Sequence, residues 1–474
     1  MSLRLNTYGL SVDELLERAA SVANLAMLRT YAEPSSIQIA AIEVYTPLLE
    51  SDLESLHPSD ISSRDRIQAQ LDIHRSILAP IRRLPKELLI EIFFTAAYDS
   101  SLHTLLVAAT ISRVSTVWRH IAHGLTELWT KIVVRSMDDF DRYCELFLPL
   151  TRGNLPDLRC DDREILWDLW DRIEAYASRW RSLALEGRLT TLCDLKVLYM
   201  EKLERLVIDA YDAPTSSELS VLDFVVAPRL RHIAFTIDAL QSARQLHVPV
   251  SRSLTSLVLT SVASFPVTIA LPLLQTCADT LQILTIKIRR LPDGADESYP
   301  TSASATFVMQ ALTHLSLVDP ACALLNHITA PLTRELVLCT VPAYGTRSLL
   351  GFLLRGKPSR NLRILRVYDA QEQDPSAWMP CLRLMDNLRA LHFDDLLSNK
   401  DFLEQMIKRE GRPPLLPALE GIALWRVFWG NLELHNAITD MCTSRVQETT
   451  WHGRQAWRLI EWLDSSWKMN HPEA

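Results

Sequence analysis

Between Leu203 and Leu424 one spacing recurs: an apolar residue, two variable residues, an apolar residue, one variable residue, and a third apolar residue. It occurs at Leu203/Leu206/Ile208, Leu230/Ile233/Phe235, Leu254/Leu257/Leu259 and Leu281/Leu284/Ile286. It continues at Leu312/Leu315/Leu317, Leu362/Leu365/Val367, Leu388/Leu391/Phe393 and Leu419/Ile422/Leu424. Leu332/Leu336/Leu338 is a weaker copy with one extra residue, and Trp180/Leu183/Leu185 reads as an earlier one. The copies follow one another at about 27 residues, within the period of stacked repeats. Chance supplies one such triplet readily, but not a near-regular series. The alternation at the end of each triplet is that of a strand buried on one face.

The period and spacing resemble leucine-rich repeats, which implies parallel strands with return segments over residues 135–430. Gly351-Phe352-Leu353-Leu354-Arg355 suits a return helix. The asparagine or cysteine of the standard repeat is missing after the strand: Val262, Arg289 and Ala370 stand there. An irregular solenoid is expected, without that side-chain ladder in its turns. Leu291–Ala305, with P-D-G-A-D-E-S and T-S-A-S-A, reads as an inserted loop.

Residues 1–79 read as helical. Ser11 and Glu14 form a capping-box pattern, followed by Leu15, Ala19, Val22 and Ala26 at helical spacing. A second helix is expected from about Ile37 to Leu56, ended by His57-Pro58, and a third carries Ile67, Leu71, His74 and Leu78. Residues 431–474 hold Trp451, Trp457, Trp462 and Trp467. Trp457, Ile460, Leu463 and Trp467 fall near one helical face, which suits either a cap on the last repeat or an aromatic anchor for a partner.

Residues 80–134 are denser in apolar side chains. Leu84-Pro85-Lys86-Glu87-Leu88-Leu89-Ile90-Glu91-Ile92-Phe93 opens a helix, with Pro85 suited to its first position and Glu87 to its first turn. Leu88 and Ile92 share a face that Leu89 and Phe93 widen. Val114, Val117, Trp118 and Ile121 make a second helical stripe, and Trp129–Val134 turns extended. Leu84-Pro85-x-Glu87-Leu88-Leu89-x-x-Ile92-Phe93 followed by Val114-Ser115-x-x-Trp118-Arg119 resembles the F-box over about forty residues. The run His74–Pro85 is similar to the lead-in of a large family of fungal F-box proteins, which share the overall layout.

The resemblance implies a three-helix module that binds the Skp adaptor and, through it, a cullin scaffold. It sets Leu84, Pro85, Leu88, Leu89, Ile92 and Phe93 at or under that interface, with Val114 and Trp118 supporting it. Leu84, Pro85 and Leu88 are expected to make the contacts, and Ile92 and Trp118 to sit in the core. The implied architecture is a helical N-terminal region with an F-box module, then the repeat solenoid, then a C-terminal cap.

In such a solenoid the variable strand positions face a target. Early copies carry Glu204, Arg205, Arg231, His232, Thr255, Ser256, Gln282 and Thr285 there; later ones add Thr313 and His314. The last copies gather Arg363, Arg366, Tyr368, Arg389, His392 and Trp425. Arginine and aromatic residues are favoured anchors, and clustered arginines suit an acidic or phosphorylated segment. Arg363, Arg366, Tyr368 and Arg389 are the expected core of that site.

Bulk properties narrow the class. An apolar fraction of 48% in 474 residues excludes wholesale disorder, and a net charge of −8 without a basic stripe argues against nucleic acid as partner. Eight cysteines stand singly, which suits reduced thiols in the cytoplasm or nucleus. Met1 to Glu17 shows no secretory pattern, and the apolar runs are too short to cross a membrane.

Chemistry finds little footing. Gly351-x-x-x-x-Gly356-Lys357 continues into Pro358, where a phosphate-binding loop needs Ser or Thr. His120 and His123 lack further metal ligands nearby. Asp161-Asp162 and Asp394-Asp395 are adjacent pairs whose side chains point apart on a strand. The expectation is therefore a non-enzymatic adaptor without cofactor or metal: the target receptor of a Skp–cullin–F-box ubiquitin ligase. The alternatives are an F-box scaffold acting outside a ligase, or an enzyme hidden in the repeats.

Overall fold

A computed structural model describes residues 10–30, 33–99, 104–160, 162, 164–211, 225–237, 252–261, 267–288, 306–342, 344–357, 360–370, 375–394, 400–407, 415–425 and 432–445. The tryptophan-rich tail, the loop expected at Leu291–Ala305, and the turn positions Val262 and Arg289 lie outside them. The chain divides into two units: residues 1–133 with 138–157, and residues 134–137 with 158–474. Among the described residues no helix is long and apolar enough to cross a membrane.

The first unit begins with α1 (Val12–Val22). The Ser11 hydroxyl accepts from the Glu14 N–H at 3.3 Å, and the Glu14 carboxylate accepts from the Ser11 N–H at 2.9 Å. The stripe expected to run on to Ala26 stops at Val22. Asn24 starts a new helix, α2 (Leu25–Thr30), its side chain accepting from the Met27 N–H at 3.1 Å. α3 (Ser36–Ser55) and α4 (Ile61–Leu78) follow on either side of His57-Pro58. Leu15, Leu16 and Ala19 of α1, Leu49 of α3, and Ile67 and Leu71 of α4 close one core. His74 is fully buried beside it, Nδ1 3.1 Å from the Thr46 hydroxyl and Nε2 3.4 Å from the Ala19 carbonyl.

α5 (Lys86–Asp99), α6 (Thr104–Val114) and α7 (Thr116–Gly124) form a second cluster. Pro85 stands one position before α5, its carbonyl accepting from the Leu89 N–H at 3.2 Å, rather than at the first helical position. The stripe from Val114 to Ile121 is not one helix either. Ser115 is extended at φ −155° and ψ 167°, and its hydroxyl caps α7 by accepting from the Trp118 N–H. Leu89, Phe93, Ala97, Ala108, Ile121, Ala122, Leu128 and Trp129 are the buried centre. The Trp129 indole donates to the Ala122 carbonyl at 2.8 Å and stacks on Phe147 at 5.2 Å. α2 is tied to this cluster by the Thr116 hydroxyl, which donates to the Arg29 carbonyl at 2.7 Å.

The strands are β1 (Lys131–Val134), β2 (Asp157–Cys160), β3 (Ser182–Arg188), β4 (Leu198–Tyr199), β5 (Arg205–Tyr211), β6 (Val225–Val226), β7 (His232–Ile237) and β8 (Ser256–Ser261). They continue with β9 (Ile283–Ile288), β10 (Phe307–Val308), β11 (His314–Val318), β12 (Ile328–Thr329), β13 (Glu335–Cys339), β14 (Ile364–Tyr368), β15 (Ala390–Asp394) and β16 (Gly421–Trp425). Twelve join one sheet in the order β1-β2-β3-β5-β7-β8-β9-β11-β13-β14-β15-β16; β4 pairs with β6 and β10 with β12. From β3 to β16 the pairings are parallel and in chain order. The chain is thus a mixture of helix and parallel sheet.

The last two residues of each triplet land on one of these strands, with the first just before it, and the register stacks like residues. Leu183, Leu206, Ile233, Leu257, Leu284, Leu315, Leu336, Leu365 and Leu391 form one inward row, none more than 1% exposed. A buried leucine or isoleucine contributes about 1.5–3 kcal/mol, so the row is a continuous core shared by neighbours. At the strand starts, the carbonyls of Arg181, Glu204, Arg231, Thr255, Gln282, Thr313, Arg334, Arg363 and Arg389 each accept two N–H groups from the next strand.

One detail corrects the sequence expectation. In the weaker copy the first inward position belongs to Thr333, wholly buried, while Leu332 is 47% exposed. The Thr333 hydroxyl donates to the Ala330 carbonyl at 2.9 Å, so the polar atom is satisfied inside the core and the copy has the regular spacing. A separate side-chain ladder stands before the strands, apart from the turn positions of the standard repeat. Ser253, Asn361 and Asn387, each just before a first inward leucine, donate to the Pro228, Pro331 and Arg360 carbonyls of the preceding copy at 2.8, 2.8 and 3.1 Å.

Candidate functional site

In the first unit the notable surface is on α5. Its sequence is apolar on more than one side, and only one side is covered. Leu89 and Phe93 are fully buried, and Leu84 packs against the same core. Leu88 is 50% exposed; Ile92, four residues on and expected in the core, is 43% exposed. Pro85 is exposed as well. On α6, Leu106 and Val114 are 65% and 59% exposed. Trp118 is half-buried, its ring 4.9 Å from that of Phe93. Sequence periodicity pooled Leu88, Leu89, Ile92 and Phe93 on one broad face, whereas the packing splits them into an inner pair and an outer pair. Leu106 was not singled out from the sequence, although it sits in the apolar run Leu105–Ile111.

In the second unit the outward face of the sheet carries the polar residues. Arg366 and His392 are direct neighbours across β14 and β15. Tyr368 lies opposite Cys339 and is half-buried. Arg363 and Arg389 fall just before their strands, one step outside the outward rows of Arg366. The Arg363 guanidinium donates to the Asn387 carbonyl at 3.0 Å; that of Arg389 is 3.7 Å from the Glu420 carboxylate. Trp425 faces Asp394 in the register, but its side chain lies outside the described residues.

A residue that the sequence did not mark organises this patch. Glu335 of β13 accepts from the Arg366 guanidinium through Oε1, and its Oε2 lies 3.7 Å from Nε2 of His314 on β11. Its side chain is only 19% exposed, against 34% for Arg366 and 48% for His314. The alternation of the weaker copy was the available signal: once Leu336 and Leu338 face inward, Glu335 and Val337 face out. Burial pushes the His392 imidazole down to about 4, and the neighbouring Arg366 adds to that. His392 is therefore neutral at physiological pH.

Among the described residues no group of three His, Cys, Asp or Glu could hold a metal ion. His123 sits edge-on to Trp129 at 5.6 Å, and burial, then Arg119 and His120, lower its pKa. Gly351 to Gly356 belongs to the helix Gly345–Gly356, with Leu349, Phe352 and Leu353 buried, so no phosphate-cradling loop forms there. Burial pushes the Cys277 and Cys339 thiols to about 11 and Cys381 to about 12, which keeps them protonated and poor nucleophiles. No family model matches the chain, and no curated protein matches it in sequence.

Proposed function

We propose that the chain is the target receptor of a Skp–cullin–F-box ubiquitin ligase, with α5–α7 as the F-box and the parallel strands as an irregular leucine-rich-repeat-like solenoid. One observation carries the docking half. α5 buries Leu89 and Phe93 yet presents Leu88 and Ile92, spaced four residues apart, to solvent. A helix with a second, uncovered apolar face calls for a partner, and the F-box resemblance identifies that partner as the Skp adaptor. The solenoid half rests on ten strands in chain order, nine of them bearing the apolar triplet and β13 with Thr333 at its first position, with Arg366 on the outward face and Arg363 and Arg389 at the strand starts beside it. Catalysis belongs to other subunits; the cytoplasm or nucleus would hold such a complex.

The test is co-expression with a Skp adaptor and a cullin. Leu88→Asp puts an unpaired charge into the apolar contact and should abolish co-purification while circular dichroism stays that of the wild type. Recovery of the cullin with the adaptor distinguishes a ligase subunit from a scaffold that binds the adaptor alone. A folded Leu88→Asp chain that still retains the adaptor at the wild-type level removes α5 from the interface.

A further inference from the structure

The outward face of β11, β13 and β14 holds a charge arrangement that points to a ligand. Its least exposed member is Glu335, held between Arg366 and His314. Here the Arg366 guanidinium and the His314 ring are the more open members, and Glu335 lies under them. Beyond it, Arg334, Arg363 and Arg389 stand at successive strand starts, and Glu420 is 3.7 Å from the last. Arg366 keeps a third of its side chain open to solvent, and its five donors exceed what one carboxylate oxygen can accept.

We propose that Arg366 is the anchor for an acidic side chain of an extended segment of the target protein, and that Glu335 is the built-in competitor for that anchor. The proposal deepens the target-receptor reading and rests on it for the identity of the occupant. Charge complementarity selects the partner: an arginine-lined face favours an acidic segment, and the carboxylate already seated against Arg366 shows which group the guanidinium fits. The competitor sets the affinity: Glu335 already occupies part of the Arg366 guanidinium and repels an incoming carboxylate, so a ligand must share or take over those donors and weakly acidic segments bind poorly.

The consequence is a pair of opposite effects. The probe is a fluorescein-labelled glutamate octamer, read by anisotropy on the full chain without adaptor. Removing the competitor in Glu335→Gln or Glu335→Ala should tighten binding about tenfold, equivalent to about 1.4 kcal/mol. Arg366→Gln should weaken it by about the same factor, and Glu335→Gln combined with Arg366→Gln should bind no better than Arg366→Gln alone. Glu420→Gln makes the same change in net charge elsewhere on the face and should tighten binding far less. Equal gains in Glu335→Gln and Glu420→Gln would reduce the effect to bulk charge and overturn the proposal. So would an Arg366→Gln chain that binds like the wild type, or no binding in any folded variant. A phosphate-dependent site would show instead as capture of a phosphoserine octamer with the glutamate octamer left free. Because no adaptor is present, a failure here is separate from a failure of the Leu88→Asp docking test.

Discussion

The rings of Phe93 and Trp118 lie 4.9 Å apart with their planes tilted by 55°. They join the two halves of the sequence motif, Leu84–Phe93 and Val114–Arg119, into one packed cluster. This contact separates residues that hold the module together from residues that face outward. Phe93→Ala should cost about 3–5 kcal/mol in urea unfolding, the usual range for emptying an aromatic site in a core. Leu88→Ala, on the open face of the same helix, should stay within about 0.5 kcal/mol. Comparable losses from the two substitutions would mean that Leu88 is covered within the chain.

Thr333 and Leu332 give a test of strand register. If Thr333 occupies the inward position, Leu332→Ser should be nearly neutral, within about 0.5 kcal/mol. Leu336→Ala, three residues on, should cost about 2–5 kcal/mol. Thr333→Val removes the hydroxyl that donates to Ala330 and should cost about 0.5–1.5 kcal/mol. Thermal unfolding of the three variants decides it; a large loss in Leu332→Ser alone would shift β13 by one residue.

The parallel sheet was legible because a buried strand position must be apolar and must recur at the repeat period. The sites were less so, for separate physical reasons. Thr333 escaped because an apolar pattern cannot see a hydroxyl satisfied by a local carbonyl, and the adjacent Leu332 answered to the pattern instead. Ile92 was assigned to the core because periodicity counts apolar residues without knowing which have a neighbour to cover them. Glu335 is not legible from its own sequence neighbourhood, because Arg366 and His314 are distant in sequence and meet it only across strands. The break at Ser115 was written in the residue type, a good cap, but the flanking apolar spacing outweighed it.

His392 should make the second unit sensitive to acid. Burial depresses its folded pKa to about 4 from a usual value near 6.5, so the unfolded chain binds the proton first as pH falls. Above the unfolded value this group gives no pH dependence. Between about 6.5 and 4 it removes stability progressively, and below that it removes no more. His392→Leu should therefore flatten the fall in Tm between pH 6.5 and pH 4 relative to the wild type. Parallel Tm profiles in the two proteins would show that His392 is hydrated and titrates normally.

Asn361 and Asn387 carry the last prediction. Each sits just before a strand and donates to a carbonyl of the preceding copy, Asn361 to Pro331 and Asn387 to Arg360. Asn387 is bound a second time, since its own carbonyl accepts from the Arg363 guanidinium. The two bonds stitch three consecutive copies at the side where the strand carbonyls already accept two N–H groups each. Loss of one bond should cost about 0.5–1.5 kcal/mol, as for other intramolecular hydrogen bonds. Because β14 pairs with β13 and β15 in the sheet, the loss should remain local to these strands. Asn387→Ala should speed amide exchange in β14 and β15 and leave β5 and β7 unchanged, and Asn361→Ala should act one copy earlier, on β13 and β14. The double variant should lose more than the sum of the singles, because β14 then lacks both of its stitches. Uniform acceleration across all strands in Asn387→Ala would mean that the sheet opens as a single unit and that the ladder does not set the local stability of each copy.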